Sequence, residues 1–301
     1  MANKRVVISG ASGLIGNALS QALSLRGYTV HPLVRRVPKA HSSEIRWSPQ
    51  DMVIDVDALE GVDAVVHLAG ESIASGRWSK LQKVRILQSR IQGTQLLSQA
   101  LAGLDAPPSV LVSASGVGYY GDGGATLLRE DAPAGEGFLA EVCVAWEKAT
   151  EPASTAGIRA VIARTAMVLS REGGALRAMM PLFKLGGGGR LGSGEQFMSW
   201  ITLDDHVRAL VHLIETKSLE GPVNCVAPNP VTNAVFTAAL GKALKRPSIM
   251  AVPAAVLRLT LGEMAEELLL KGQRASSAKL EASGFSFQHE ELEAALEAAL
   301  K

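Results

Sequence analysis

Residues 6–16 of this chain, Val-Val-Ile-Ser-Gly-Ala-Ser-Gly-Leu-Ile-Gly, constrain its fold more than any other stretch. A short β-branched run ends in glycines at positions 10, 13 and 16, and an apolar segment with helical spacing, Leu14 to Arg26, follows at once. The pattern predicts a strand, a tight turn and a helix. A pyrophosphate can approach the amide N–H groups of a helix N-terminus only where the backbone turns sharply and carries no Cβ, and the partial positive charge there favours the anion. Gly10, Ser12, Gly13, Leu14, Ile15 and Gly16 are therefore the expected contacts of a dinucleotide.

A chain of 301 residues, 47% of them hydrophobic, can bury a large α/β core and a smaller lobe. The formal net charge is +1 and the charges are scattered, which leaves no basic face for nucleic acid or an anionic membrane. The expected partner is a small molecule, bound by a monomer or homodimer. Met1 to Arg5 lead toward the first strand without a signal-peptide apolar region, and no apolar run approaches membrane-spanning length, so the expected location is cytoplasmic. Cys143 and Cys225 have no His or Cys at ligand spacing, which predicts neither a disulfide nor a metal site.

Tyr28 to Val34 reads as a second strand, and it ends in Arg35-Arg36. A fold that binds NAD carries an Asp or Glu there for the ribose 2′-hydroxyl, whereas arginine accommodates a 2′-phosphate. The expected cofactor is NADP(H), held by Arg35 and Arg36. Glu44 to Trp47 is a weak strand, and Asp63 to Gly70 reads as a buried parallel strand ending in small residues. Ser79 to Leu101 is a long helix from which Arg90 can reach cofactor phosphates. Strands are expected at Val110 to Ser115, Arg159 to Thr165 and Pro222 to Ala227, with a helix at about Leu139 to Ala156 between the first two. The glycine-rich stretch Gly186 to Gly194 is expected to be a substrate-side lid. Beyond Pro253 the chain is predominantly helical, with one helix expected over Ala254 to Lys271. The pattern predicts a Rossmann doubly wound parallel sheet over residues 1–170, with 200–228 returning to it. Residues 171–199 and 229–301 are assigned to a smaller, mostly helical substrate-side lobe.

The spacing Gly10-x-x-Gly13-x-x-Gly16 resembles the extended branch of the short-chain dehydrogenase/reductase superfamily. Further stretches narrow the resemblance: His67-Leu68-Ala69-Gly70-Glu71, Ser115 to Gly121, Leu191 to Ile201, and Leu261 to Arg274. Together they are similar to the atypical epimerase-family members commonly labelled nucleotide-sugar epimerase or cell-division inhibitor, over essentially the whole chain. That resemblance implies that Leu68, Ala69, Gly70 and Glu71 line the cofactor, with Ser113 beside it. It implies that Ser115 or Ser113 hydrogen-bonds the reacting hydroxyl, and that Arg164 and Trp200 face the substrate. The superfamily's catalytic Tyr-x-x-x-Lys pair is missing, since Tyr28, Tyr119 and Tyr120 are followed four residues on by Pro32, Gly123 and Gly124. Aligning Glu147 with the family's following acid puts Leu139 and Cys143 in the places of Tyr and Lys. The remaining acid/base candidates are Ser115, Tyr119, Tyr120 and Cys143. The resemblance implies an oxidoreductase or epimerase acting on a small carbonyl- or hydroxyl-bearing substrate, nucleotide sugars included. The alternative is a catalytically silent NADPH-binding sensor or interaction protein.

Overall fold

The computed structural model describes residues 4–301, so Met1 to Asn3 of the N-terminal reading lie outside the described residues. The first motif forms as predicted: strand Arg5–Ser9, a turn, and helix Leu14–Leu25. Arg5–Ser9 sits inside an eight-stranded sheet. On one side follow Thr29–Val34, Ile45–Ser48 and Val53–Ile54; on the other follow Ala64–His67, Val110–Gly116, Arg159–Thr165 and Gly221–Cys225. All neighbours run parallel except the edge pair Ile45–Ser48 and Val53–Ile54. The chain starts mid-sheet, winds outward, and returns to the opposite side of its first strand at Ala64–His67. That reversal is the switch point of a doubly wound Rossmann sheet, where a crevice opens outside the carboxyl ends of the strands.

Alternation along the central strands divides the core between the two faces. Val6, Ile8, Val66 and Val112 pack with Leu19, Leu23, Leu210 and Leu213, from the Leu14–Leu25 and Leu203–Glu215 helices. Val7, Val65 and Leu111 pack with Leu97 and Leu101 of the Lys80–Ala102 helix. Because both faces are covered, these strands read as continuous apolar runs rather than alternating ones.

A separate core joins helices Gly174–Lys184, Asn233–Ala243 and Leu292–Ala299 around Leu176, Trp200, Phe236 and Leu296. Trp200–Thr202 pairs with Met167–Leu169 in its own two-stranded ladder. The glycine run is not an open lid. Gly189–Leu191 pairs with Met250–Val252, and a Cβ at Gly188 or Gly189 would run into the Phe183 ring or the Met250 backbone. Its glycines serve close packing. The helix expected over 254–271 is interrupted: Ala254–Leu261 ends at Gly262, and a wider turn follows over Glu266–Leu270. Arg274–Ala275 then pairs with Leu127–Leu128 and stitches the C-terminal segment to the main sheet's loops. Among the described residues no helix is long and apolar enough to cross a membrane.

Candidate functional site

The glycine turn forms one wall of the switch-point crevice. Gly10 has φ 71°, and the Gly13 N–H closes the turn by donating to the Gly10 carbonyl at 3.0 Å. A Cβ on Gly16 would collide with that same carbonyl, so the helix can begin only this close to the turn with glycine there. The Leu14–Leu25 helix has no side-chain cap and no acid in its first turn, whereas Ser79 and Thr202 cap the Lys80–Ala102 and Leu203–Glu215 helices. Its leading amides and positive end are left for an anion, and the cradle fits a pyrophosphate.

The facing wall is the Leu68–Glu71 backbone, on which the Gly10 turn lies directly: a Cβ on Gly10 would sit 3.0 Å from the Ala69 nitrogen. Ser9 Oγ accepts the Leu68 and Ala69 N–H groups at 3.0 and 3.1 Å. Arg90, stacked on Trp146, donates from Nη1 to the Glu71 carbonyl at 2.9 Å and lies beneath Gly70. It braces this wall from below. Glu71 is half-buried, accepting from Gln82 at 3.3 Å.

At the end of the second strand Arg35 is exposed and, among the described residues, has no side-chain hydrogen bond or ion pair. Arg36 is not free. Glu44, opening the next strand region, pairs with both its terminal nitrogens and also accepts the Lys39 N–H at 2.9 Å. The bond to Arg36 holds the Glu44 carboxyl down at about 2. The reading of two arginines with no acid is corrected here, because the acid arrives from nine residues downstream of Arg35.

Beyond the walls lies a buried polar cluster. Ser115 Oγ donates to Glu147 Oε1 at 2.7 Å, and Glu147 is held by Arg164 through Nε and Nη2, both at 2.9 Å. The Cys143 thiol donates to the Gly116 carbonyl at 3.7 Å; burial, then the nearby Glu147, push its pKa up, which keeps the reactive thiolate scarce. Ser113 is buried within its strand, next to His67 in register, and its hydroxyl donates to the Ala114 carbonyl at 3.4 Å.

Three expected assignments are corrected. Arg164 is 2% exposed, with Nη1 donating to the Tyr120 hydroxyl and the Glu130 carbonyl as well, so it has no donor face turned to a substrate. The Tyr120 phenol donates to Asn224 at 2.7 Å while accepting from Arg164, and burial raises its pKa, which fits a structural strut rather than an acid/base. Trp200 is fully buried and donates its indole N–H to the Asn229 carbonyl; it is a core residue, not a cleft wall. Tyr119 stacks on the Arg164 guanidinium at 3.5 Å. With Glu147 and exposed Lys148 it lines a surface pocket that runs along the sheet to Arg159 and Gly221, where their strands begin.

Sequence reasoning undervalued Ser9, Glu147 and Glu44. Ser9 has a signal, a hydroxyl as the last residue of the first strand, but its partners and those of Glu147 come from distant positions, and Glu44 meets Arg36 only across the loop between two strands. Among the described residues no group of three or more His, Cys, Asp and Glu side chains is placed to hold a metal.

Residues 6–225 match the NAD dependent epimerase/dehydratase family, and residues 252–299 match a domain of unknown function. The chain is 50% identical to the epimerase family protein Mb2239 of Mycobacterium bovis over 296 residues, covering 98% of this chain and 97% of that one. The crystal structure of human epimerase family protein SDR39U1 (isoform 2) with NADPH is 34% identical, with a TM-score of 0.90 over 98% of both chains. A nucleoside-diphosphate sugar epimerase from Corynebacterium glutamicum is 36% identical with a TM-score of 0.82, covering 99% of this chain and 58% of that one.

Proposed function

Because the chain belongs to the NAD dependent epimerase/dehydratase family, we propose that it is an NADP(H)-dependent oxidoreductase or epimerase of the extended short-chain dehydrogenase type. Its substrate is a small molecule bearing a carbonyl or hydroxyl. The carrying observation is the uncapped helix N-terminus on the switch-point crevice, with Arg35, unpaired among the described residues, at the neighbouring strand end. The NADPH in the human relative's structure supports the choice of cofactor. NADP(H) supplies two-electron redox chemistry when bound. The amides after Gly13 hold the pyrophosphate, and Arg35 with Arg36 takes the 2′-phosphate.

A proton must still leave or enter the substrate hydroxyl. The Ser115–Glu147 pair provides a route: Ser115 Oγ takes the proton from the substrate hydroxyl as its own proton passes to Glu147 Oε1, 2.7 Å away. Arg164 fixes the carboxylate at the end of that route. Both substitutions Ser115→Ala and Glu147→Gln should cut turnover by about 10²-fold or more once a substrate is found by screening metabolites against NADPH-loaded protein. Full turnover in both variants refutes the relay, and equal wild-type affinity for NADPH and NADH refutes the cofactor choice. A silent NADPH-binding sensor is the second reading, favoured by Leu139 and Cys143 standing where the family keeps Tyr and Lys. It predicts NADPH binding with no turnover across the panel.

A further inference from the structure

Ser9 and His67 are the last residues of the two strands that flank the switch point, and they face each other in register. The Ser9 hydroxyl has one proton and two lone pairs. It accepts the Leu68 and Ala69 N–H groups, so its proton goes to His67 Nδ1, 2.7 Å away in a fully buried position. That bond fixes the tautomer: Nδ1 is the acceptor and the ring proton is on Nε2. Among the described residues Nε2 has no partner, and it lies toward Gly93 of the helix beneath, with Trp47 edge-on to the ring at 5.8 Å. A buried N–H without a partner is a standing cost. The position tolerates it while Nδ1 orients the hydroxyl that holds the Ala69 amide and shares the Leu68 amide with the Ser9 carbonyl, 3.3 Å away. Burial, then Arg90, hold the ring's pKa down at about 4, so it stays the neutral acceptor this arrangement needs.

We propose that His67 is a positioning residue for the dinucleotide, acting through Ser9 to set the Leu68–Ala69 wall against the Gly10 turn. The inference rests on the reading that NADP(H) occupies the crevice. The ring touches no ligand itself. It removes the freedom of the Ser9 hydroxyl to rotate and release the Ala69 amide, and so keeps the width of the crevice fixed before binding.

The test is NADPH affinity in wild type, Ser9→Ala, His67→Leu, the double variant and His67→Asn, with the tautomer of wild-type His67 read by ¹⁵N NMR. Each of the first two single substitutions is expected to weaken NADPH about tenfold, the worth of one lost hydrogen bond in a buried network. The double variant should be no weaker than either single, because both break the same chain of bonds. His67→Asn offers an amide oxygen close to the place of Nδ1 and should recover affinity to within about threefold of wild type. An Nε2–H tautomer supports the proposal in the native protein whether or not a variant folds. An Nδ1–H tautomer, or multiplicative losses of about a hundredfold in the double variant, overturns it. Equal binding by wild type and His67→Leu overturns this inference alone. Failure of the wild type to bind NADPH overturns the cofactor reading and this inference with it.

Discussion

Replacing Arg164 by Met separates a structural arginine from a substrate-binding one. The guanidinium and the Glu147 carboxylate are 3% and 11% exposed, and two of the bonds between them are 2.9 Å long. Hydrogen bonds to charged groups contribute about 1.5–3 kcal/mol each, and breaking one partner of a buried pair costs about 3–5 kcal/mol, so the two magnitudes agree. Arg164→Met should therefore lose about 3–5 kcal/mol of stability, because Glu147 stays behind without its cation. Removing both, in Arg164→Met/Glu147→Leu, should recover much of the loss, since a well-packed apolar pair of similar volume is often as stable as the ion pair. Urea unfolding followed by circular dichroism measures all three proteins, and NADPH titration of the folded variants measures the crevice independently. A loss below about 1 kcal/mol in Arg164→Met, the range of exposed pairs, or a double variant no more stable than the single refutes the structural role of this pair.

Stability should fall in mild acid: His67 and His206 are fully buried with pKa values of about 4, so between about pH 6.5 and 4 the unfolded chain binds more protons, and the two together cost about 3–4 kcal/mol from pH 7 to pH 5. A denaturation midpoint unchanged between those two pH values contradicts this. Trp200→Ala should cost about 3–5 kcal/mol as a core truncation while leaving the NADPH affinity of the folded protein intact; unchanged stability with weakened ligand binding would return Trp200 to the cleft. Glu44→Gln should raise NADPH affinity by roughly two- to fivefold, the worth of an exposed ion pair, with NADH unchanged. Isothermal titration decides it, and a fall in NADPH affinity means that Glu44 orients Arg36 instead of competing for it.

The Rossmann core and the dinucleotide cradle were legible in the local sequence, because their signals, glycine spacing and continuous apolar runs, each lie within a few residues. Gly13 and Gly16 specify a turn that has to fit only its own backbone, and the apolar run Ala64–Val65–Val66 declares a strand covered on both faces. The separation of Arg35 and Arg36 into a free and a paired guanidinium was not legible, since Glu44 reaches Arg36 only after the third strand pairs beside the second. Ser115, Glu147, Arg164, Tyr120 and Asn224 are scattered over more than a hundred positions and meet only where adjacent parallel strands and the Phe138–Lys148 helix bring them to one end of the sheet. A buried ion's partner has no sequence period, because Coulomb attraction and hydrogen bonding depend on distance in space, and tertiary packing alone sets that distance. The same holds for the glycine run at 186–189. Composition reads it as flexible, and only the packing of Phe183 and Met250 against it makes glycine a requirement for close approach.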